Sequence, residues 1–144
     1  MLRDKKSWAV MAGVVLGVST LTGVGTASAD DYTCDKREFC LWENPYFNRG
    51  SQWDTYGFAQ WNAREDGNYN NNKWRDKKVP AHDEVDVLDN EASSARNRTY
   101  CGVILWQHVG HGGARTTLYI DREKAFLEDE NVGDNRASSH SFVC

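Results

Sequence analysis

Asp89-Asn90-Glu91-Ala92-Ser93-Ser94 and Asp134-Asn135-Arg136-Ala137-Ser138-Ser139 share five of six residues at a spacing of 45 positions. One such hexapeptide reads as an Asx or Ser turn leading into a buried strand. Two in one short chain read as an internal repeat. A second matched stretch precedes each copy. Leu41-Trp42-Glu43-Asn44-Pro45-Tyr46-Phe47-Asn48-Arg49-Gly50 aligns with Leu105-Trp106-Gln107-His108-Val109-Gly110-His111-Gly112-Gly113. Both run from an apolar strand and an aromatic residue through a polar pair into a glycine-bearing turn. Each half therefore has the order strand, hairpin turn, strand, loop, D-N-x-A-S-S, strand.

The halves differ in length. Trp42 to Asp89 is 47 positions and Trp106 to Asp134 is 28, so the first half carries about 19 extra residues. They are expected as an excursion over 58–86, which holds Asn68, Asn70, Asn71, Asn72 and the polar run Lys73 to Lys78. An insertion of that size is uncommon in a compact domain and is often functional. The remaining signal is β: Val103-Ile104-Leu105-Trp106 and Arg115-Thr116-Thr117-Leu118-Tyr119-Ile120 are short, β-branched or aromatic, and separated by glycines. Ala125, Phe126 and Leu127 within Asp121 to Glu130 could share a helical turn, so short helix is expected there and in the excursion. The fold class is all-β: a sandwich of two Greek keys, about 38–100 and 101–144, with short helical pieces in the long connections.

The chain has 144 residues. Arg3, Lys5 and Lys6 precede an apolar stretch, Trp8 to Val24, that ends in Ala27-Ser28-Ala29. That pattern reads as a cleavable export signal over 1–29, leaving 30–144 as a single domain, soluble and secreted. The mature part has 14 basic and 20 acidic side chains, a formal charge of −6. Such a surface argues against nucleic-acid and anionic-membrane partners, and suits cation binding. Four cysteines, Cys34, Cys40, Cys101 and Cys144, all follow the cleavage point. Two disulfides are expected. Three pairings are possible, and Cys34–Cys40 with Cys101–Cys144 is favoured. Tetrathiolate zinc needs closer pairs.

Other constellations carry little chemistry. Of the four histidines, His82, His108, His111 and His140, the pair His108 and His111 could touch a transition metal, but no third ligand is apparent nearby and the pair reads as an exposed polar turn. Asp83-Glu84-Asp86 and Glu128-Asp129-Glu130 read as solvated surface, and no nucleophile elbow, His-Glu-x-x-His or phosphate loop is present. Enzyme activity is not expected. Asn97-Arg98-Thr99 fits a glycosylation sequon. Trp42, Phe47, Trp53, Tyr56, Trp106 and Tyr119 are expected in the core and hairpin corners. Trp61, Tyr69 and Trp74 either pin the excursion or stack against carbohydrate.

D-N-x-A-S-S, late in each half, resembles the N/D-N/D-x-x-S/T-S calcium signature of microbial βγ-crystallins. The aromatic-to-glycine hairpin resembles the Greek-key signature of the same superfamily. The exported leader, the C-x5-C spacing and Phe39-Cys40-Leu41-Trp42-Glu43-Asn44 look like peptidase inhibitor family thirty-six, the Streptomyces metalloproteinase inhibitor type. The resemblance implies two calcium sites. Asn90, the Glu91 carbonyl and Ser93 would serve the first motif, and Asn135, the Arg136 carbonyl and Ser138 the second. The motifs exchange ligands, so each ion joins both halves. A carbonyl of the opposite hairpin, near Glu43 or Gln107, completes each site, and Asp89 and Asp134 add charge. Oxygen donors of this kind suit calcium, with an affinity of order 10⁻⁶ to 10⁻³ M. The implied function is inhibition of an extracellular metalloprotease by a monomer. The alternative is a calcium-stabilised binding or structural module that inhibits nothing.

Overall fold

The structure is a computed structural model and describes residues 32–49, 57–75 and 87–144. The expected leader, Trp53, Tyr56, His82 and the Asp83-Glu84-Asp86 group lie outside these residues. Among the described residues seven strands form two antiparallel sheets: β1 (Glu38–Trp42), β2 (Phe58–Asn62), β3 (Ser94–Asn97), β4 (Gly102–His108), β5 (Gly112–Leu118), β6 (Glu123–Lys124) and β7 (Ser139–Val143). One sheet has the order β2-β1-β3-β6 and the other β5-β4-β7.

The two halves repeat each other strand for strand. β1 pairs with β2 and β3, as β4 pairs with β5 and β7. The remaining segment of each half crosses to the other sheet. β6 adds to β3, and in the first half Asp66 bridges to His140 of β7. The halves are thus interlocked, each donating one edge segment to its sibling.

β1 is buried on both faces, and its alternation explains why. Phe39 and Leu41 face the main core with Val103, Leu105, Leu118, Leu127 and Val132. Cys40 and Trp42 face the other way, against Cys34, Phe58 and the half-buried Tyr32 and Phe47. The Cys34–Cys40 disulfide holds the N-terminal segment over that second face, and Cys101–Cys144 ties the start of β4 to the end of β7.

Three expectations change. The extra residues of the first half do not form one excursion over 58–86, because Phe58–Asn62 is strand β2. In register, Trp42 faces Phe58 whereas Trp106 faces Arg115, so part of the excess lies in the first hairpin. The larger part lies between Tyr69 and Asp89, where Tyr69 and Trp74 are buried in the core. With Trp61 stacked on Phe39 and Tyr69 at 5.8 and 5.4 Å, these aromatics are packing residues and not a carbohydrate platform. Second, Asp121 to Glu130 is not helical. It enters the sheet as β6, and Leu127 then donates its N–H to the Ser93 carbonyl at 2.9 Å. One apolar turn gives too few hydrogen bonds to nucleate a helix against a sheet edge. The short helix expected in the excursion is present as a 3-10 turn at Tyr69–Asn71, and a second 3-10 turn lies at Pro45–Asn48. Third, Tyr119, expected in the core, is 71% exposed: Thr116 and Leu118 are the inward residues of β5, so the alternation puts Tyr119 on the outward side.

Candidate functional site

Each D-N-x-A-S-S turn bends at its asparagine. Asn90 and Asn135 sit in the left-handed region, at φ 61° and 52°, a conformation asparagine tolerates better than most residues. The bend aims each turn at its sibling. Asn90 N–H donates to the Ala137 carbonyl at 3.0 Å, and Asn135 N–H to the Ala92 carbonyl at 3.1 Å. The side chains cross as well. Ser93 Oγ donates to Asn135 Oδ1, and Ser138 Oγ to Asn90 Oδ1, both at 3.2 Å.

The hairpins arrive by the same device in both halves. Ser93 N–H bonds the Trp42 carbonyl at 3.0 Å and Ser138 N–H the Trp106 carbonyl at 2.9 Å. Ser94 Oγ then donates to the Asn44 carbonyl and Ser139 Oγ to the His108 carbonyl, at 2.8 and 2.7 Å. The second serine of each motif therefore fastens the hairpin, while the first faces the sibling motif. Glu43 shares one depression with Ser93 of its own half and with Asp134 and Asn135 of the other.

One polar depression results, lined by Glu43, Asn44, Asn90, Glu91, Ser93, Asp134 and Asn135. It brings together residues of both halves. Asp89 Oδ2 accepts from Asn90 Nδ2 at 2.6 Å and Asp134 Oδ2 from Asn135 Nδ2 at 3.3 Å. The second oxygen of each carboxylate, Oδ1, is buried without a hydrogen-bond partner among the described residues. A buried anionic oxygen left without a donor is costly unless a cation meets it. The donor set, carboxylate, amide, hydroxyl and carbonyl oxygens in an open turn, fits a hard divalent ion. The Arg136 stem folds over Gly133, where an added Cβ would lie 3.0 Å from Cδ. Gln107 Oε1 accepts from Ala114 N–H.

No other metal grouping competes among the described residues. Cys34, Glu38 and Cys40 lie close together, but both sulfurs are in the disulfide. The sequon reading of Asn97 also fails, because its side chain is fully buried and its Nδ2 donates to the carbonyls of Cys101, Leu118 and Tyr119.

His140 is what sequence reasoning missed. It sits fully buried on β7, with Nε2 2.9 Å from the Arg64 carbonyl and Nδ1 2.7 Å from Tyr69 Oη. A carbonyl can only accept, so Nε2 carries the proton and Tyr69 donates to Nδ1. The ring is enclosed by Phe39, Trp61, Tyr69 and Phe142. Burial pushes its pKa down from 6.5 to about 4, against smaller upward pulls from the Arg64 carbonyl and Asp66. Burial, and then Asp66, push the Tyr69 hydroxyl up. The inward alternation of His140 with Phe142 was the available signal. Of the hairpin histidines, His108 is exposed, whereas His111 Nε2 donates to the His140 carbonyl at 3.0 Å.

Comparison with known proteins agrees with this architecture. The sequence model of peptidase inhibitor family I36 matches residues 27–118. A structure from work on the evolution of the eye lens beta-gamma-crystallin domain fold superposes at TM-score 0.56 and 13% identity, over 77% of this chain and 89% of its own. A beta gamma crystallin from Ciona intestinalis gives 0.51 and 13%, over 73% and 98%. At such identity the likeness establishes the fold: a βγ-crystallin sandwich. No curated protein matches the sequence.

Proposed function

We propose that this chain, which belongs to peptidase inhibitor family I36, inhibits an extracellular metalloprotease from a scaffold that calcium fastens. The observation that carries the reading is the family match, which spans β1 through β5 and so covers the framework of both hairpins. Family and fold point to a non-enzyme. Among the described residues no helix is long and apolar enough to cross a membrane. Two disulfides and interlocked halves supply what an inhibitor needs: a surface ordered before binding, so that little conformational entropy is lost in the complex. The disulfides also suit an exported protein.

Calcium in this reading is a fastener and takes no part in chemistry. Asn135 and Ser93, with the Glu91 and Glu43 carbonyls, would hold one ion. Asn90 and Ser138, with the Arg136 and Gln107 carbonyls, would hold the other, and Asp134 and Asp89 supply charge. The crossed Asn–Ser pairs and the two orphaned carboxylate oxygens support it. The same observations support a second reading, a calcium-stabilised extracellular module without inhibitory activity.

One experiment separates the two. The purified protein is titrated against a panel of metallo- and serine endopeptidases, once with millimolar calcium and once with chelator. Inhibition of a metalloprotease that weakens with chelator is the expected result. A calcium-dependent melting shift with no protease inhibited would favour the module. Neither inhibition nor a melting shift would defeat both.

A further inference from the structure

The end of the sandwich away from the D-N-x-A-S-S turns gathers three short loops. Arg37 N–H donates to the Arg98 carbonyl at 2.9 Å, joining 36–37 to 98–101. Asn97 joins 98–101 to the loop that follows β5. Its Nδ2 donates to the Cys101, Leu118 and Tyr119 carbonyls at 2.7, 3.1 and 3.2 Å. Its Oδ1 accepts from Thr99 N–H and Thr99 Oγ1 at 2.9 and 2.7 Å. The Arg98 guanidinium reaches the Cys34 carbonyl at 2.7 Å, and the Cys101–Cys144 disulfide closes the far side of the loop.

So braced, these loops hold apolar side chains out in water. Tyr100 is 70% exposed, Tyr119 71% and Ile120 51%. A buried asparagine and threonine spend their side-chain hydrogen bonds on fixing loops whose tips stay largely exposed. Such an arrangement adds little to the core, and it is what a binding surface requires: large, stiff anchors on a preorganised backbone. Beside Tyr100 lies a cavity lined by Lys36, Arg37, Asn62, Ala63, Thr99 and Cys101. The Arg37 guanidinium lies 5.8 Å from the Tyr100 ring centre. The charged residues lining this cavity are both basic, in a mature chain whose formal charge is −6.

We propose that the loop Arg98 to Gly102, with Tyr100 at its tip and Tyr119 and Ile120 beside it, is the surface that enters the substrate cleft of the inhibited protease. The partner this surface fits has a cleft that accepts an aromatic or branched apolar side chain and carries acidic groups at its rim, where Lys36 and Arg37 would sit. Asn97 is a positioning residue: it keeps the loop in one shape, so that the loop occupies the cleft without being turned over. The inference rests on the inhibitory reading above and names the face that performs it.

The test uses the full mature protein and whichever protease the wild type inhibits. Tyr100→Asp and Ile120→Asp are compared with Val109→Asp, an exposed position in the second hairpin at the opposite end. Each aspartate at the proposed surface is expected to weaken inhibition roughly thirtyfold or more, with melting unchanged, while Val109→Asp stays within about twofold. Asn97→Ala is expected to turn inhibitor into substrate, with cleavage between Arg98 and Gly102 seen by mass spectrometry. If the wild type inhibits and both aspartate variants keep its inhibition constant, the contact face is elsewhere and this inference falls while the inhibitory reading stands. If the wild type inhibits nothing, both fall together.

Discussion

The two donated edge segments of this sandwich do the same topological work with opposite chemistry. In the second half, β6 lies against β3 opposite Ala95, and the side-chain fastening is a surface ion pair, Arg96 with Glu123 at 2.7 Å. In the first half, Asp66 lies against β7 opposite His140, the counterpart of Ala95. Here a whole imidazole fills the space behind the strand and bonds Tyr69 and Arg64 of the donated segment. The exposed latch gains little because water and salt screen it. The buried one gains more, and it requires a neutral ring. The repeat fixed the path of the chain, and each half then found its own way to hold the visiting segment.

The comparison is broken most severely by His140→Ala. The variant loses ring packing and leaves the Tyr69 hydroxyl and the Arg64 carbonyl without their partner, which should cost about 3–5 kcal/mol in urea unfolding. Next comes acid. The folded ring titrates at about 4 and the unfolded one at 6.5. Between these values the unfolded state binds the extra proton, so stability is full above about pH 6.5 and falls as pH drops towards 4. The loss is on the order of 3 kcal/mol, and His140→Phe should flatten the curve relative to wild type over that window.

The crossed motifs should behave symmetrically, unlike the latches. Calcium at a hundredfold excess over its Kd should stabilise the wild type by about 2.7 kcal/mol per site. Asn90→Ala and Asn135→Ala should each abolish one site in calorimetry and leave the other. The hairpins differ again. Tyr46, Phe47 and Asn48 occupy left-handed backbone without glycine, braced by Asn48 Oδ1 accepting from Asn44 N–H at 2.9 Å. The second hairpin uses Gly110 and Gly113, and a Cβ at Gly113 would meet the His108 ring at 2.6 Å. Gly113→Ala should therefore cost about 1–3 kcal/mol by thermal melting. The smallest effect is expected at the exposed latch: Glu123→Gln should change stability by about 0.2–1 kcal/mol, and less in high salt.

Much of this was legible in the chain. Matching Leu41-Trp42 to Leu105-Trp106 and D-N-x-A-S-S to its copy placed the strands and hairpins of both halves, and the βγ-crystallin resemblance follows from those residues. The cysteine pairing was also readable, since a short local loop favours Cys34–Cys40. What misled was local composition. The asparagine-rich stretch after Phe58 looks like surface, yet it contains β2, Tyr69 and Trp74. Ala125-Phe126-Leu127 looks like a helical turn, yet a free sheet edge claimed the residues before it.

Sequence alone settled that there are two sibling halves and that each is a strand-turn-strand unit of Greek-key order, because repetition and alternation are written along the chain. Which atoms face which was decided only by packing. Asn90 and Ser138 are 48 positions apart, His140 and Tyr69 are 71 apart, and Asn97 reaches Tyr119 across 22. Hydrogen bonds at such separations are set when two sheets close on a shared core and desolvated polar groups must find partners. No local pattern specifies which ones they find.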